Sequence, residues 1–285
     1  MKLTKKQIRQ WTGSLTYHVF ILLFGFFMFY PVLWLISSSF KEHAEIFQNA
    51  HVLIPKAFRW ENYVQGWRGF GGITFGTFFK NSMIISGVST IGQILTSSLV
   101  AFGFARVKFT GRKFWFRMMI LTLLLPGQVL LIPQYVLFNY MGWIDTFKPL
   151  IIPHFFAGPF HVFLMVQFIS GIPMELDEAA RIDGCGPFAT YYRIILPNIK
   201  PALITSGIFS FYWSWNNFME ALMYIQTPRK YPASLALQLF ADPQSVTHWG
   251  AMFAMATLSL VPIFIIFITF QRYLVEGIST TGLKG

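Results

Sequence analysis

Six long apolar stretches separated by polar segments organise this chain. They run from about Leu15 to Ile36, Phe78 to Phe104, Phe114 to Tyr140, Leu150 to Ser170, Pro201 to Ile225 and Trp249 to Phe270. Each has the length of the roughly 20 residues that a helix needs to cross a hydrocarbon core of about 30 Å. None shows the short alternating segments of barrel strands. Backbone in lipid must satisfy its own hydrogen bonds, so the pattern predicts helices and an all-α, polytopic membrane fold with six transmembrane helices. Two spans are predicted to be kinked: the third by Pro126 and Pro133, the fourth by Pro153, Gly158 and Pro159. Long external segments are expected at 37–77, which carries Gly69, Gly71 and Gly72, and at 226–248.

Charge orients these spans. Lys2, Lys5, Lys6 and Arg9 precede the first, and Arg106, Lys108, Arg112, Lys113 and Arg117 follow the second. Assigning each Lys and Arg to the nearer side puts 14 of the 22 on the side of the N-terminus. By the positive-inside rule both termini are cytoplasmic, with an N-terminal segment 1–14, a core 15–271 and a tail 272–285 in one transmembrane domain, 1–285. Only 12% of residues are charged and 54% are hydrophobic, which a soluble domain of 285 residues would not tolerate. The net charge of +11 falls between spans rather than on a soluble basic face. It therefore points to membrane orientation and lipid, and not to nucleic acid. The first apolar run outlasts a signal peptide and has no convincing cleavage site, so it is expected to be a span. Cys185 is the only cysteine and is expected to pack rather than react, with no His or second Cys beside it.

The polar loop 171–200 is the most specific stretch. Pro173 can open a helix whose first turn holds Glu175, Asp177 and Glu178, where the helix dipole favours carboxylates, and Gly184 can end it. Ala179 and Ala180 present little side chain, so another backbone can approach. The order Glu178-Ala179-Ala180, then Gly184, then Ile194, Leu196 and Pro197 resembles the EAA loop of the membrane subunits of binding-protein-dependent ABC importers. Further stretches are similar to the carbohydrate-importing, maltose-type branch: LTSSLVAFGFARVKFTGRK, LLLPGQVLLIPQYVLFNYMGWIDT, SWNNF at 214–218 and FQRYLVEGISTTGLKG, so that the resemblance covers about 15–285.

The resemblance implies a type I ABC importer permease fold in a prokaryotic inner membrane. It implies that Glu178, Ala179, Ala180, Asp183, Gly184, Ile194, Leu196 and Pro197 couple the chain to an ATPase on the cytoplasmic side. A homologous sister permease, two ATP-binding subunits and an extracytoplasmic solute-binding protein are the implied partners, with ATP and Mg²⁺ used by the ATPase and no cofactor in this chain. The segment 231–248 would reach toward the binding protein or simply connect two spans.

Apart from any resemblance, the chain has no GxxxxGK[ST] phosphate loop, HExxH, GxSxG or paired intramembrane aspartates. It is therefore read as a transport subunit and not an enzyme, with no catalytic residue. Polar side chains within spans face a partner helix or a wet path. Trp213, Trp215, Asn216, Asn217 and Glu220 in span five offer rings and hydrogen-bonding groups for a sugar, with Gln128 and Gln134 in span three as further path candidates. Ser206, Ser210 and Ser214 recur every four residues and make an equally good packing face. Asn217 and Glu220 depart from the family pattern. His154 and His161 share a helix face but have no third ligand nearby for a metal. The competing function is an ion-coupled secondary transporter of a small polar solute, with Glu220 its one available carboxylate.

Overall fold

The computed structural model describes residues 5–241 and 248–282. Lys2, the middle of the segment 231–248 and the end of the tail lie outside them. The described residues are helical almost throughout: α1 (Lys5–Ser38), α2 (His43–Gln48), α3 (Glu61–Arg68), α4 (Phe75–Arg106), α5 (Arg112–Thr122), α6 (Gly127–Tyr140), α7 (Lys148–Ile151), α8 (Pro159–Ser170), α9 (Glu175–Ile182), α10 (Pro187–Thr190), α11 (Leu196–Asn198), α12 (Lys200–Trp215), α13 (Met219–Tyr224), α14 (Ala233–Ala236) and α15 (Trp249–Gly282). Four segments are long and apolar enough to cross a membrane unaided, and six are if each of two bent pairs counts as one span.

The proline signals hold with one shift of detail. Span three divides at Pro126 into α5 and α6, which meet at 97°, while Pro133 lies inside α6. Span four passes from α7 through a 3-10 turn, Ile152–Phe156, to Ala157 in a left-handed conformation (φ 57°), and restarts as α8. Span five differs from the continuous helix expected over 201–225: α12 stops at Trp215 and α13 begins only at Met219. The segment read as a C-terminal tail is helical up to Gly282.

The chain divides into two compact units. One comprises Met1–Gly69 and Phe240–Leu258. Its helix α1 exposes Phe20, Leu22 and Phe27, a surface suited to hydrocarbon. After α1 the chain turns around fully buried Lys41, whose Nζ donates to the Val52 carbonyl. Asn62 on α3 donates to the Ser39 and Lys41 carbonyls, each at 2.9 Å, and Phe40 packs against Phe58, Trp60 and Tyr63. A close approach requires Gly66, where a Cβ would lie 2.8 Å from Met255.

The other unit comprises Phe70–Leu239 and Ser259–Gly285, with α4 as its hub, packed on α8 and α12. The face of α4 that makes these contacts is small and polar: Ser82, Ser86, Ser89, Gln93 and Ser97 are all buried at helical spacing. These side chains hold irregular backbone that lipid could not satisfy. Thr96 and Ser97 accept the Ala157 and Gly158 amides at the break of span four, at 3.2 and 3.3 Å. Ser89 donates to the Leu150 carbonyl, and Ser82 accepts the Ala233 amide. Gly92 makes room for the Phe155 ring, which a Cβ would meet at 2.5 Å.

Candidate functional site

The polar loop after α8 folds as two helical pieces. In α9, Asp177 and Ala180 face inward while Glu178, Ala179 and Asp183 stay exposed. Its end is a Schellman motif: the Cys185 amide reaches the Ala180 carbonyl at 2.8 Å and the Gly184 amide the Arg181 carbonyl at 3.0 Å. Gly184 takes φ 79°, which a side chain would resist, so the glycine follows from the turn itself. Cys185 is half-buried just beyond this cap.

The second piece is α10, a wide π-turn at Tyr191–Ile195, and α11, which together meet α12 at 76°. Tyr191, Ile195 and Ile199 are buried in a core with Ala101, Phe102, Val162 and Met165. The Tyr191 hydroxyl lies 2.7 Å from Ser98 Oγ on α4. Ile194 and Leu196 are half-buried and Pro197 is exposed. The motif positions thus divide between those that anchor the loop and those that face outward.

One contact ties α9 to the hub. Arg106 Nε, in the last turn of α4, lies 2.9 Å from Asp177 Oδ2, with the two side chains 7% and 5% exposed. The two atoms are not aligned as a hydrogen bond and have no other partner, so charge holds them. Arg106 Nη2 also donates to the Ile172 carbonyl at 2.6 Å. The sequence marks Arg106 only as an orienting charge and Asp177, one residue ahead of the motif, only as a first-turn carboxylate that suits the helix dipole. No local spacing announces a pair so far apart in the chain. The contact also places the loop after α4 and the EAA loop at the same end of the bundle.

The stretch that carries Glu178 exposes large apolar side chains. Ile182 is 87% exposed, Phe188 73% and Tyr192 65%. Exposed large apolar side chains next to charged ones fit a protein partner.

The path candidates separate along α12. Ala202, Ser206, Ser210 and Ser214 form its buried face, with His161 Nδ1 2.8 Å from Ser206 Oγ. Trp215 is 3% exposed and donates Nε1 to the Ser259 carbonyl at 3.0 Å, so in this conformation it packs within the chain. Trp213 points the other way, 46% exposed, over Phe209. Asn216 is exposed at the end of α12 and donates to the Tyr212 carbonyl. Asn217 and Glu220, the two departures from the family pattern, are partners: Asn217 Nδ2 donates to Glu220 Oε2 at 2.7 Å, and the Glu220 amide to Asn217 Oδ1 at 3.2 Å. Together they close the first turn of α13 much as a capping box does. Gln128 is exposed on α6, and Gln134 is half-buried with its Oε1 3.4 Å from the Tyr224 hydroxyl.

Residues 93–280 match the family model described as the binding-protein-dependent transport system inner membrane component. The chain is 32% identical to the arabinooligosaccharides transport system permease protein AraQ of Halalkalibacterium halodurans, over 92% of this chain and 93% of that one. It is 30% identical to the trehalose/maltose transport system permease protein MalG of Thermococcus litoralis, over 93% and 94% of the two chains. Its fold matches a chain in the crystal structure of a bacterial ABC transporter involved in the import of the acidic polysaccharide alginate, with a TM-score of 0.81, 19% identity and coverage of 96% and 99%. Helices long and apolar enough to cross a membrane, the order of the EAA motif and family similarity through most of its length lead to one assignment: the chain belongs to the family of inner-membrane permease components of binding-protein-dependent ABC transport systems.

Proposed function

We propose that this chain is one of two related permease subunits in an ATP-driven importer of an oligosaccharide. The relatives AraQ and MalG, named for arabinooligosaccharides and for trehalose and maltose, support the carbohydrate class. In this reading the chain sits in a prokaryotic inner membrane with both termini cytoplasmic and receives substrate from an extracytoplasmic binding protein. ATP and Mg²⁺ chemistry belongs to two partner subunits. One observation supports the coupling role: along the EAA loop Glu178, Ala179, Ile182, Phe188 and Tyr192 are all exposed, a surface that another protein can cover. Closure of the ATPase pair would pull α9, and through Arg106 the hub α4, opening the path to a loaded binding protein. ATP hydrolysis would reverse it. Trp213, Asn216 and the Asn217–Glu220 pair are the side chains proposed to meet the sugar.

The test is Glu178→Ala in the complete reconstituted importer. Transport should fall by tenfold or more while the chain still inserts and the ATPase subunits retain basal hydrolysis. Unchanged transport stimulated normally by loaded binding protein would defeat the coupling reading. No observation favours the ion-coupled alternative, since the Glu220 carboxylate is taken up by Asn217.

A further inference from the structure

The short connection from α4 to α5 carries an unusual charge pattern. Lys108, Arg112, Lys113 and Arg117, with Phe109, Gly111 and Phe114, line an open surface cavity of about 620 Å³. Among the described residues none of the four side chains has a carboxylate partner or a hydrogen bond. Nor could a near neighbour in sequence supply one, because no Asp or Glu occurs between Glu61 and Asp145. Arg106, one turn away, shows the contrast: it is buried against Asp177.

The arrangement opposes what a helix prefers. Arg112 and Lys113 occupy the first turn of α5, which has no acidic residue, so they meet the positive end of the helix dipole. Lys113 and Arg117 are four apart, a like-charged spacing that weakens an isolated helix. Cations held against each other and against the dipole are stabilised by an external anion. The depth of the cluster identifies the source. It lies between two membrane-crossing segments, and the next residues of α5, Phe114, Trp115 and Leu121, are exposed apolar side chains at 56%, 58% and 50%. Aromatic residues at such a boundary sit at headgroup level.

We infer that this cavity is a binding site for the headgroup of an anionic phospholipid, whose phosphate is held by Lys108, Arg112, Lys113 and Arg117 while its acyl chains lie along Phe114, Trp115 and Leu121. A headgroup with two phosphates matches four cations best. Basic juxtamembrane clusters gain affinity for anionic lipid with each Lys or Arg, and here the lipid also relieves the repulsion within α5.

The experiment uses the complete importer purified from membranes, with native mass spectrometry of retained lipid and thermal unfolding in nanodiscs of phosphatidylcholine with or without cardiolipin. The wild type should retain cardiolipin and be stabilised by it. Lys113→Gln with Arg117→Gln should weaken retention by about fivefold per cation removed, and Arg112→Lys should preserve it. Adding Lys108→Gln and Arg112→Gln should abolish it. Should that quadruple variant not insert, the double variant decides. Equal retention and equal stabilisation in the double variant and the wild type would overturn the proposal. So would an equal stabilisation of the wild type by millimolar inorganic phosphate without anionic lipid, which would assign the cavity to a free anion. Loss of ATPase-subunit binding with unchanged lipid retention would assign the patch to a protein and overturn it too.

Discussion

Single side chains do their work here by closing irregular backbone. Asp145 has a positive φ of 59°, strained for a non-glycine residue, and is held there by its partners. Its carboxylate accepts from Lys230 Nζ at 2.8 Å, from Thr227 Oγ1 at 2.7 Å and from the Gln226 and Thr227 amides. Lys230 first, then Thr227, hold the carboxyl well below the usual carboxylate range. A depressed folded-state value gives stability that is complete above the unfolded carboxylate pKa, about 3.9, and is lost as pH falls through the folded value. Asp145→Asn should therefore lower the thermal unfolding temperature at neutral pH. The gap from wild type should close as the solution is acidified below pH of about 4, followed in detergent by intrinsic fluorescence. A gap that does not change with pH would mean that the amide substitution acts through the backbone turn and not through charge. Sequence placed Asp145 only in a short external turn; its role depends on residues some eighty positions later, which no local pattern connects to it.

At the scale of helices, α4 is the element on which the others depend, and the signals for it differed in strength. Pro126, Pro153, Pro159 and Gly184 marked breaks and a cap correctly because proline and glycine restrict or free φ wherever they stand. The serine stripe of α4 went unread because hydroxyls barely alter the hydropathy of a span, and only the structure shows that Thr96 and Ser97 complete the broken backbone of span four. Span five reads as continuous because Asn216 and Asn217 are polar but not helix-forbidding, and the interruption appears only with the α13 cap. The Arg106–Asp177 pair predicts an effect on coupling. Removing one partner of a buried ion pair leaves an unpaired charge and destabilises by about 3–5 kcal/mol. Arg106→Gln or Asp177→Asn should thus loosen α9 and lower the ratio of transport to ATP hydrolysis. Exchange of the two, Arg106→Asp with Asp177→Arg, should restore part of that ratio. If the single variants keep the wild-type ratio, α9 is tied to α4 by its apolar contacts and the charges are incidental.

For the molecule as a whole, the informative surfaces are those a lone chain leaves uncovered. Apolar side chains on the spans need only lipid. Ile182 lies outside the candidate spans, and Phe188 and Tyr192 lie in the short first limb of the bent pair Pro187–Asn198 and Lys200–Trp215, ahead of its 76° break. Ile182→Asp together with Phe188→Asp should therefore abolish co-purification of the ATPase subunits while the permease remains in the membrane. Retained co-purification would move the docking surface elsewhere. Six apolar runs and the EAA order made the helical architecture and the family legible from sequence. The path remained less legible because a polar residue in a span packs or lines according to which face it occupies, and Trp213 and Trp215, two positions apart, took opposite fates.

The π-turn at Tyr191–Ile195 has a consequence for how this loop tolerates change. Such a turn holds one residue more than an α-helix would over the same rise. Removing the one extra residue would let the turn tighten to α-helical geometry with the segments on either side close to their present bearing, whereas removing a second would swivel them by about 100° relative to each other. In that second case Phe188 would leave its present bearing while Ile195 and Ile199 stayed seated. The distance in residues from Gly184 to Pro197 is thus a phase setting with one residue of slack held in the wide turn, so a deletion of one is milder at this spot than a deletion of two.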